Sequence, residues 1–302
     1  MCGIVGFLDK TNDKLAPAGR TILAMLNALG CRGPDSAGVA LYGPPADGRF
    51  VLRVKVGDNG GSESAARRLG EFAQSLDAGA EITATGAYAR LEVTSKIAAK
   101  EWAARIESLD GGIEVVSLGT SLEIVKQVGS PAKLEAAYGV SHMPGAHGIG
   151  HTRLSTESKV DLSHSQPFWG RGRPDLAIVH NGHITNYHQL RRQYEQRGVK
   201  FYTENDSEII AIYLAEQLGA GLDLEAGMRG MLRDLDGSFC CVVATATEMG
   251  FVKDQFALKP LLVAETDGFV AIATEEIAMR AALPGNYEAH EPGAREVKVW
   301  RR

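Results

Sequence analysis

The sequence predicts an α+β fold in which β-sheets are stacked between layers of helices, and three observations carry that expectation. Strand–turn–strand patterns alternate with paired helical patterns, which lets sheet faces bury against each other and against helices. Glycine occurs 35 times in 302 residues, above average usage, so tight turns are frequent. No linker-like stretch rich in Pro, Gly and Ser divides the chain. It therefore reads as a single domain over 1–302, with 50–147 an inserted α/β block.

In order along the chain, 2–9 read as a short buried strand. Leu15, Ile22, Met25, Leu26 and Leu29 have helical spacing over 14–29. The punctuated loop Cys31-Arg32-Gly33-Pro34-Asp35-Ser36 leads into a strand at 38–42. The inserted block reads as strand 50–56, helix 64–76 with Ser62 or Ser64 as N-cap, strand 81–94, helix 97–109, strand pair 113–128 and helix 131–138. It carries few candidate catalytic groups before His142 and His147. Strand character resumes at 148–155, and a strand over 175–181 is expected to stop at Gly182. Helices follow over 186–197 and 206–218. Strands at 238–246, 249–254, 261–266 and 269–274 come next, with a turn at Asp267-Gly268. A helix at 275–282 and a strand at 296–300 close the pattern.

Composition excludes several function classes. Net charge is −5 with the basic residues scattered, so the electrostatic footprint of a nucleic-acid binder is missing. No run approaches the roughly 18 to 20 apolar residues of a membrane span. The start, MCGIVGFLDK, lacks the basic region and length of a secretion signal. Cys2, Cys31, Cys240 and Cys241 have no metal-ligand spacing, and the last two alternate to opposite faces of a strand. A reduced, cytoplasmic setting is expected.

Four segments carry chemistry. Cys2 would stand beside a free α-amine once Met1 is removed, and that amine, with a reference pKa of about 7.7–8.0, can take up the thiol proton. Taken alone, a cysteine near a chain end is more often a small buried hydrophobe. His180-Asn181-Gly182 offers oxyanion donors through the Asn181 amide and the Gly182 N–H; an ordinary Asn-Gly turn is the competing reading. Arg153, in Gly150-His151-Thr152-Arg153-Leu154-Ser155-Thr156, could clamp a carboxylate bidentately or form a surface ion pair. Asp206, in Asn205-Asp206-Ser207-Glu208, is either a counter-ion for an ammonium group or a helix N-cap. Together these meet the needs of an α-amino acid whose side-chain carbonyl is attacked, which is glutamine or a close relative.

Cys2-Gly3-Ile4-Val5-Gly6, Arg32-Gly33-Pro34-Asp35-Ser36-Ala37-Gly38, Gly150-His151-Thr152-Arg153, Gln166-Pro167-Phe168, His180-Asn181-Gly182 with Asn186, and Asp206-Ser207-Glu208 together resemble the class II glutamine amidotransferase domain. Asp236-Gly237-Ser238-Phe239, Lys259-Pro260-Leu261 and Ala273-Thr274-Glu275 echo its C-terminal half. The resemblance covers 2–43 and 148–283 and implies an αββα N-terminal-nucleophile hydrolase sandwich. It implies Cys2 as nucleophile and Asn181 with Gly182 as oxyanion donors. It places Arg153 on the substrate carboxylate, Asp206 on the ammonium group and Thr156 in the pocket lining, with Arg32 and His180 in support. Leu154 departs from the aromatic residue of many relatives, and Lys253–Pro260 matches the Arg-Asp-Pro stretch only loosely.

The long middle block makes the layout similar to stand-alone glutaminase chains of glutamate-synthase-like systems, such as the glutaminase component of N-methylglutamate synthase (methylamine–glutamate N-methyltransferase). That resemblance implies no cofactor in this chain. It implies partners instead: an FMN-binding synthase-like subunit, with a possible iron–sulfur cluster, and a glycine-rich β-solenoid subunit. Two other readings stay open at this stage. One is an N-terminal-cysteine amidohydrolase of a different acyl substrate, the other a non-catalytic regulatory subunit.

Overall fold

The computed structural model describes residues 2–11, 18–57, 63–155 and 159–302. Its elements begin with β1 (Gly3–Asp9), α1 (Ala18–Ala28), β2 (Ser36–Tyr42), β3 (Arg49–Lys55) and α2 (Glu63–Leu76). They continue with β4 (Glu81–Thr85), β5 (Tyr88–Thr94), α3 (Ala99–Glu107), β6 (Glu114–Gly119), β7 (Leu122–Val128) and α4 (Pro131–Tyr138). Next come β8 (His147–Arg153), β9 (Phe168–Trp169), β10 (Ala177–Ile184), α5 (Tyr187–Gln196), α6 (Asp206–Gly219) and α7 (Leu224–Asp234). The last are β11 (Gly237–Ala244), β12 (Glu248–Lys253), β13 (Leu262–Glu265), β14 (Phe269–Ala273), α8 (Glu276–Ala282), β15 (Ala289–His290) and β16 (Val297–Arg301).

Among the described residues these strands form three sheets, ordered β15-β13-β14-β1-β8-β2-β7, β16-β12-β11-β10-β9 and β4-β5-β3-β6. Side-chain alternation explains why the first two stack. On β1, Ile4 and Leu8 enter the core between the sheets with Val242, Met249 and Phe251. Val5 and Phe7 turn the other way, onto Ile22, Met25 and Leu26 of α1. On β11, Cys240 and Val242 face the inter-sheet core, while Cys241 and Val243 face the cluster under α6 and α7. The two cysteines thus point to opposite faces, and the order of layers is helix, sheet, sheet, helix. The fold is the expected αββα sandwich.

The four-stranded sheet packs Leu52, Val54, Tyr88 and Leu91 against Leu69 of α2 and Trp102 of α3. Strand β7 does not belong to that sheet; it pairs antiparallel with β2 at the edge of the seven-stranded one. The Asp175 carboxylate holds the link between β6 and β7, accepting the N–H groups of Thr120, Ser121 and Leu122 at 2.9 Å each. A polar seam fastens α3 to the rest. Glu107 accepts Arg171 Nη1 at 2.7 Å and the Val115 N–H at 2.9 Å, and bonds the Tyr202 hydroxyl. Lys126 of β7 is buried beside that seam, its Nζ 4.8 Å from the centroid of the Phe168 ring.

Four expectations change. The strand over 81–94 is a hairpin, β4 and β5, turning at Gly86 with a positive φ of 60°. The strand ending at Gly182 continues to Ile184, because the glycine takes a φ of 138° that lets pairing with β11 proceed. Helix α7 has no counterpart in the sequence reading, since Gly227 and Gly230 interrupt its apolar pattern. Ser64 lies inside α2 and is not its cap, and Ser62 lies outside the described residues.

Candidate active site

Strand β1 is flanked by β14 and β8, and Cys2 immediately precedes it. The start of the strand is pinned by Thr274. Its Oγ1 accepts the Ile4 N–H at 2.7 Å, and its own N–H donates to the Ile4 carbonyl at 3.0 Å. Two further donors reach the Cys2 carbonyl: Arg32 Nε at 3.2 Å and Asn181 Nδ2 at 3.3 Å. Arg32 is itself paired with Glu275. The Leu154 N–H donates to Cys2 Sγ at 3.4 Å, and the Leu154 carbonyl lies 3.6 Å from the same sulfur. The Arg32 loop can approach so closely because Gly33 has no side chain; a Cβ there would stand 2.4 Å from the Thr152 carbonyl carbon.

These contacts set the thiol's acidity. Burial raises its pKa, but the neighbouring His151 imidazole, together with the Leu154 N–H, outweighs burial and brings it down to about 7. The contrast within the molecule is large, for burial pushes Cys240 up to about 12 and Cys241 higher still. Cys2 is therefore the thiol that is both accessible and activated, whereas the adjacent pair are packing residues.

Asn181 lies on β10, facing Cys2 across the sandwich, and Gly182 follows it with an exposed backbone. At Gly182 a Cβ would meet the Ser238 carbonyl oxygen at 2.2 Å, so only glycine fits. His180 supports this strand from behind. Its Nδ1 bonds Ser207 Oγ at 2.9 Å, and its backbone exchanges hydrogen bonds with the Gln166 side chain at 2.6 and 2.9 Å. That network joins β10 to the first turn of α6.

The two substrate anchors foreseen in the sequence take different settings. Arg153 is buried, with Nη1 donating to the Lys159 carbonyl at 2.9 Å and Nη2 to Ser155 Oγ at 3.3 Å, so it is not a surface ion pair. The N-cap of α6 is Asn205, whose side chain accepts the Ser207 N–H at 3.0 Å. Asp206 is thus the first helical residue, not the cap, and its Oδ2 accepts the Ile184 N–H at 2.9 Å. Oδ1 stands 3.6 Å from His180 Nδ1. Thr156 lies outside the described residues.

The structure thus brings Cys2, Asn181, Arg32 and Leu154 into direct contact, and ties Asp206 to the strand that carries Asn181 and Gly182. Sequence reasoning placed His151 within a motif and gave it no role. Its signal is present all the same, as a histidine two residues before the arginine on one strand face. The arrangement can generate a thiolate near neutral pH and present an amide donor beside it, which are the requirements of acyl transfer.

A sandwich of this kind, with a cysteine at the head of its central strand, has the fold of the N-terminal-nucleophile hydrolases. A family model described as a glutamine amidotransferase domain matches residues 151–281. The chain is 36% identical over 306 residues to a Methanothermobacter thermautotrophicus protein named "Putative glutamine amidotransferase", covering 99% of both chains. It is also 36% identical over 310 residues to the glutamine amidotransferase-like protein GlxB of Rhizobium meliloti, covering 99% of this chain and 98% of that one. Among solved structures it is similar to the glutamine phosphoribosylpyrophosphate amidotransferase of B. subtilis, with a TM-score of 0.62, 19% identity and 99% of this chain covered. It spans 49% of that solved chain. The chain belongs to the class II glutamine amidotransferases.

Proposed function

We propose that this protein is a glutaminase subunit in which Cys2 hydrolyses the side-chain amide of glutamine and the ammonia passes to a partner synthase. The observation that carries the reading is the thiol itself, shifted to about pH 7 and held 3.4 Å from the Leu154 N–H. The Asn181 amide stands on the same residue, 3.3 Å from its carbonyl. With Met1 removed, the Cys2 α-amine accepts the thiol proton, and the thiolate adds to the side-chain carbonyl carbon. Asn181 Nδ2 and the Gly182 N–H receive the oxyanion. The carbon–nitrogen bond then breaks, and ammonia departs with the proton relayed from the amine. Water cleaves the remaining glutamyl thioester, giving glutamate and restoring the thiol. Arg153 takes the substrate α-carboxylate, Asp206 its ammonium group, and Thr156 lines the pocket.

The partner reading rests on the likeness to glutamate-synthase-like glutaminase chains, including that of N-methylglutamate synthase. It calls for an FMN-binding synthase-like chain and a glycine-rich β-solenoid chain; FMN, and any iron–sulfur cluster, belong to the synthase-like chain. The polar pair Arg153 and Asp206 favours glutamine over an apolar acyl amide.

The decisive experiment measures glutamate release from glutamine by wild type and Cys2→Ala, with N-acyl amino acids assayed alongside and the mature N-terminus weighed by mass spectrometry. Loss of glutamate release in Cys2→Ala, with glutamine preferred by wild type, is the expected result. Unchanged release in the variant would overturn the nucleophile assignment. Glutamine turnover in the presence of the partner chains should exceed that of the isolated chain; equal rates would count against the coupling.

A further inference from the structure

We infer that His151 is a positioning residue that couples Cys2 to Asn181, an inference that rests on the reading of Cys2 as nucleophile. His151 lies on β8, opposite Ile4 of β1 on one side and Gly38 of β2 on the other, and is 1% exposed. Its Nε2 is 3.1 Å from Asn181 Oδ1. The direction of that bond follows from the far end of the amide. Asn181 Nδ2 contacts the carbonyl oxygen of Cys2, which can only accept, so the amide nitrogen faces the nucleophile and Oδ1 faces the ring. Nε2 must then carry the hydrogen. The other ring nitrogen, Nδ1, is buried with no hydrogen-bond partner among the described residues.

A histidine kept only for packing would leave that nitrogen as a destabilising, unsatisfied buried polar atom. Here the ring stands beside the Cys2 thiol and favours its ionised form. The titratable groups that interact with it are Cys2, just before β1, and His180 from β10. One imidazole therefore serves both halves of the reaction centre. It turns the Asn181 amide so that its N–H groups point to where an oxyanion forms, and it stabilises the attacking thiolate. Removing one such donor from an acyl-transfer site typically lowers kcat by about 100-fold or more.

The test compares His151→Gln with His151→Asn. Glutamine is long enough to donate to Asn181 Oδ1 from the Nε2 position, and asparagine is too short. Wild-type glutaminase kcat is expected to be at least about 100-fold above His151→Asn and within about tenfold of His151→Gln, with KM for glutamine within about threefold throughout. Both variants should shift Cys2 alkylation by iodoacetamide to higher pH, because neither restores the imidazole. Equal kcat in the two variants, or His151→Asn near wild type, overturns the inference. Nitrogen chemical shifts of the wild-type histidine give a check that needs no variant: protonation at Nε2 is expected, and an Nδ1–H tautomer overturns it. Cys2→Ala separates the two readings. Activity surviving there removes the nucleophile, whereas an unaltered His151→Asn with a dead Cys2→Ala removes only the coupling.

Discussion

Asp35 Oδ2 accepts the Ser155 N–H at 2.7 Å, joining the loop after α1 to the loop after β8. The Asp35 N–H in turn donates to the Arg153 carbonyl at 3.0 Å. This double tie fixes Leu154, between Arg153 and Ser155, against the Cys2 sulfur. Asp35→Ala should therefore lower kcat/KM for glutamine by about tenfold or more while the melting temperature moves little. Steady-state glutaminase kinetics beside a thermal melt test this, and unaltered kinetics would show that the tie does not position the thiol.

The acidity of Cys2 gives a direct readout. Its folded pKa of about 7 lies below the ordinary thiol value, so the thiolate fraction rises through neutrality. Iodoacetamide labelling of Cys2, followed by peptide mass mapping to separate it from exposed Cys31, should reach half its maximal rate near pH 7. Cys240 and Cys241 should stay unlabelled until the protein unfolds. A Cys2 midpoint near pH 9 would remove the activation by His151 and Leu154.

Asp206→Asn tests the charge without the shape, because an asparagine oxygen can still accept the Ile184 N–H. KM for glutamine should rise about 10- to 100-fold while kcat stays within a few-fold, the signature of lost ground-state binding. A fall in kcat with KM unchanged would place Asp206 in the chemistry instead.

Gly182→Ala would set a Cβ 2.2 Å from the Ser238 carbonyl oxygen at a φ of 138°. Strain of this kind costs about 1–3 kcal/mol before the clash is counted, so calorimetry should show the transition falling by roughly 5 °C. Turnover should be lost as well. An unshifted melt would mean that β10 bends away from β11 at little cost.

Lys126 links stability to pH. Burial lowers its pKa to about 8, below the lysine value in an unfolded chain. Between about pH 8 and 10 the unfolded state binds more protons than the folded one, so the free energy of unfolding rises with pH through that window through this residue. Lys126→Met should flatten the rise relative to wild type and be about 1 kcal/mol more stable at pH 7, since a desolvated cation is removed. Urea titrations at pH 7, 8 and 9.5 decide it, and parallel curves for the two proteins would refute it.

Much of this was legible in the sequence because local periodicity carried it. The alternating apolar residues of β1 and β11 gave both strands and both faces of the sandwich. The motifs singled out Cys2, Asn181, Gly182, Arg153 and Asp206, and of these the structure brings Cys2 and Asn181 into contact. What stayed hidden depended on distant contacts or on single torsions. The left-handed turn at Gly86 splits what reads as one strand, and the glycines of α7 mask a helix that tertiary packing stabilises. Which of Asn205 and Asp206 caps α6 is a matter of one residue of register, settled by the bond to the Ser207 N–H. The role of His151 could not be read from its own strand, because Asn181 approaches from the opposite sheet.

The pairing of β7 with β2 bears on how the chain can be shortened. The four-stranded sheet looks like a module, yet the connection that leaves it delivers the border strand of the sheet that Cys2 heads. Cutting after Val128 would strip β2 of its neighbour and leave a bare ladder of backbone donors and acceptors open to self-association. A trimmed protein that stays monomeric would have to rejoin the chain just before Thr120, keeping β7 and its Asp175 clasp, so that the sheet headed by Cys2 retains a finished margin.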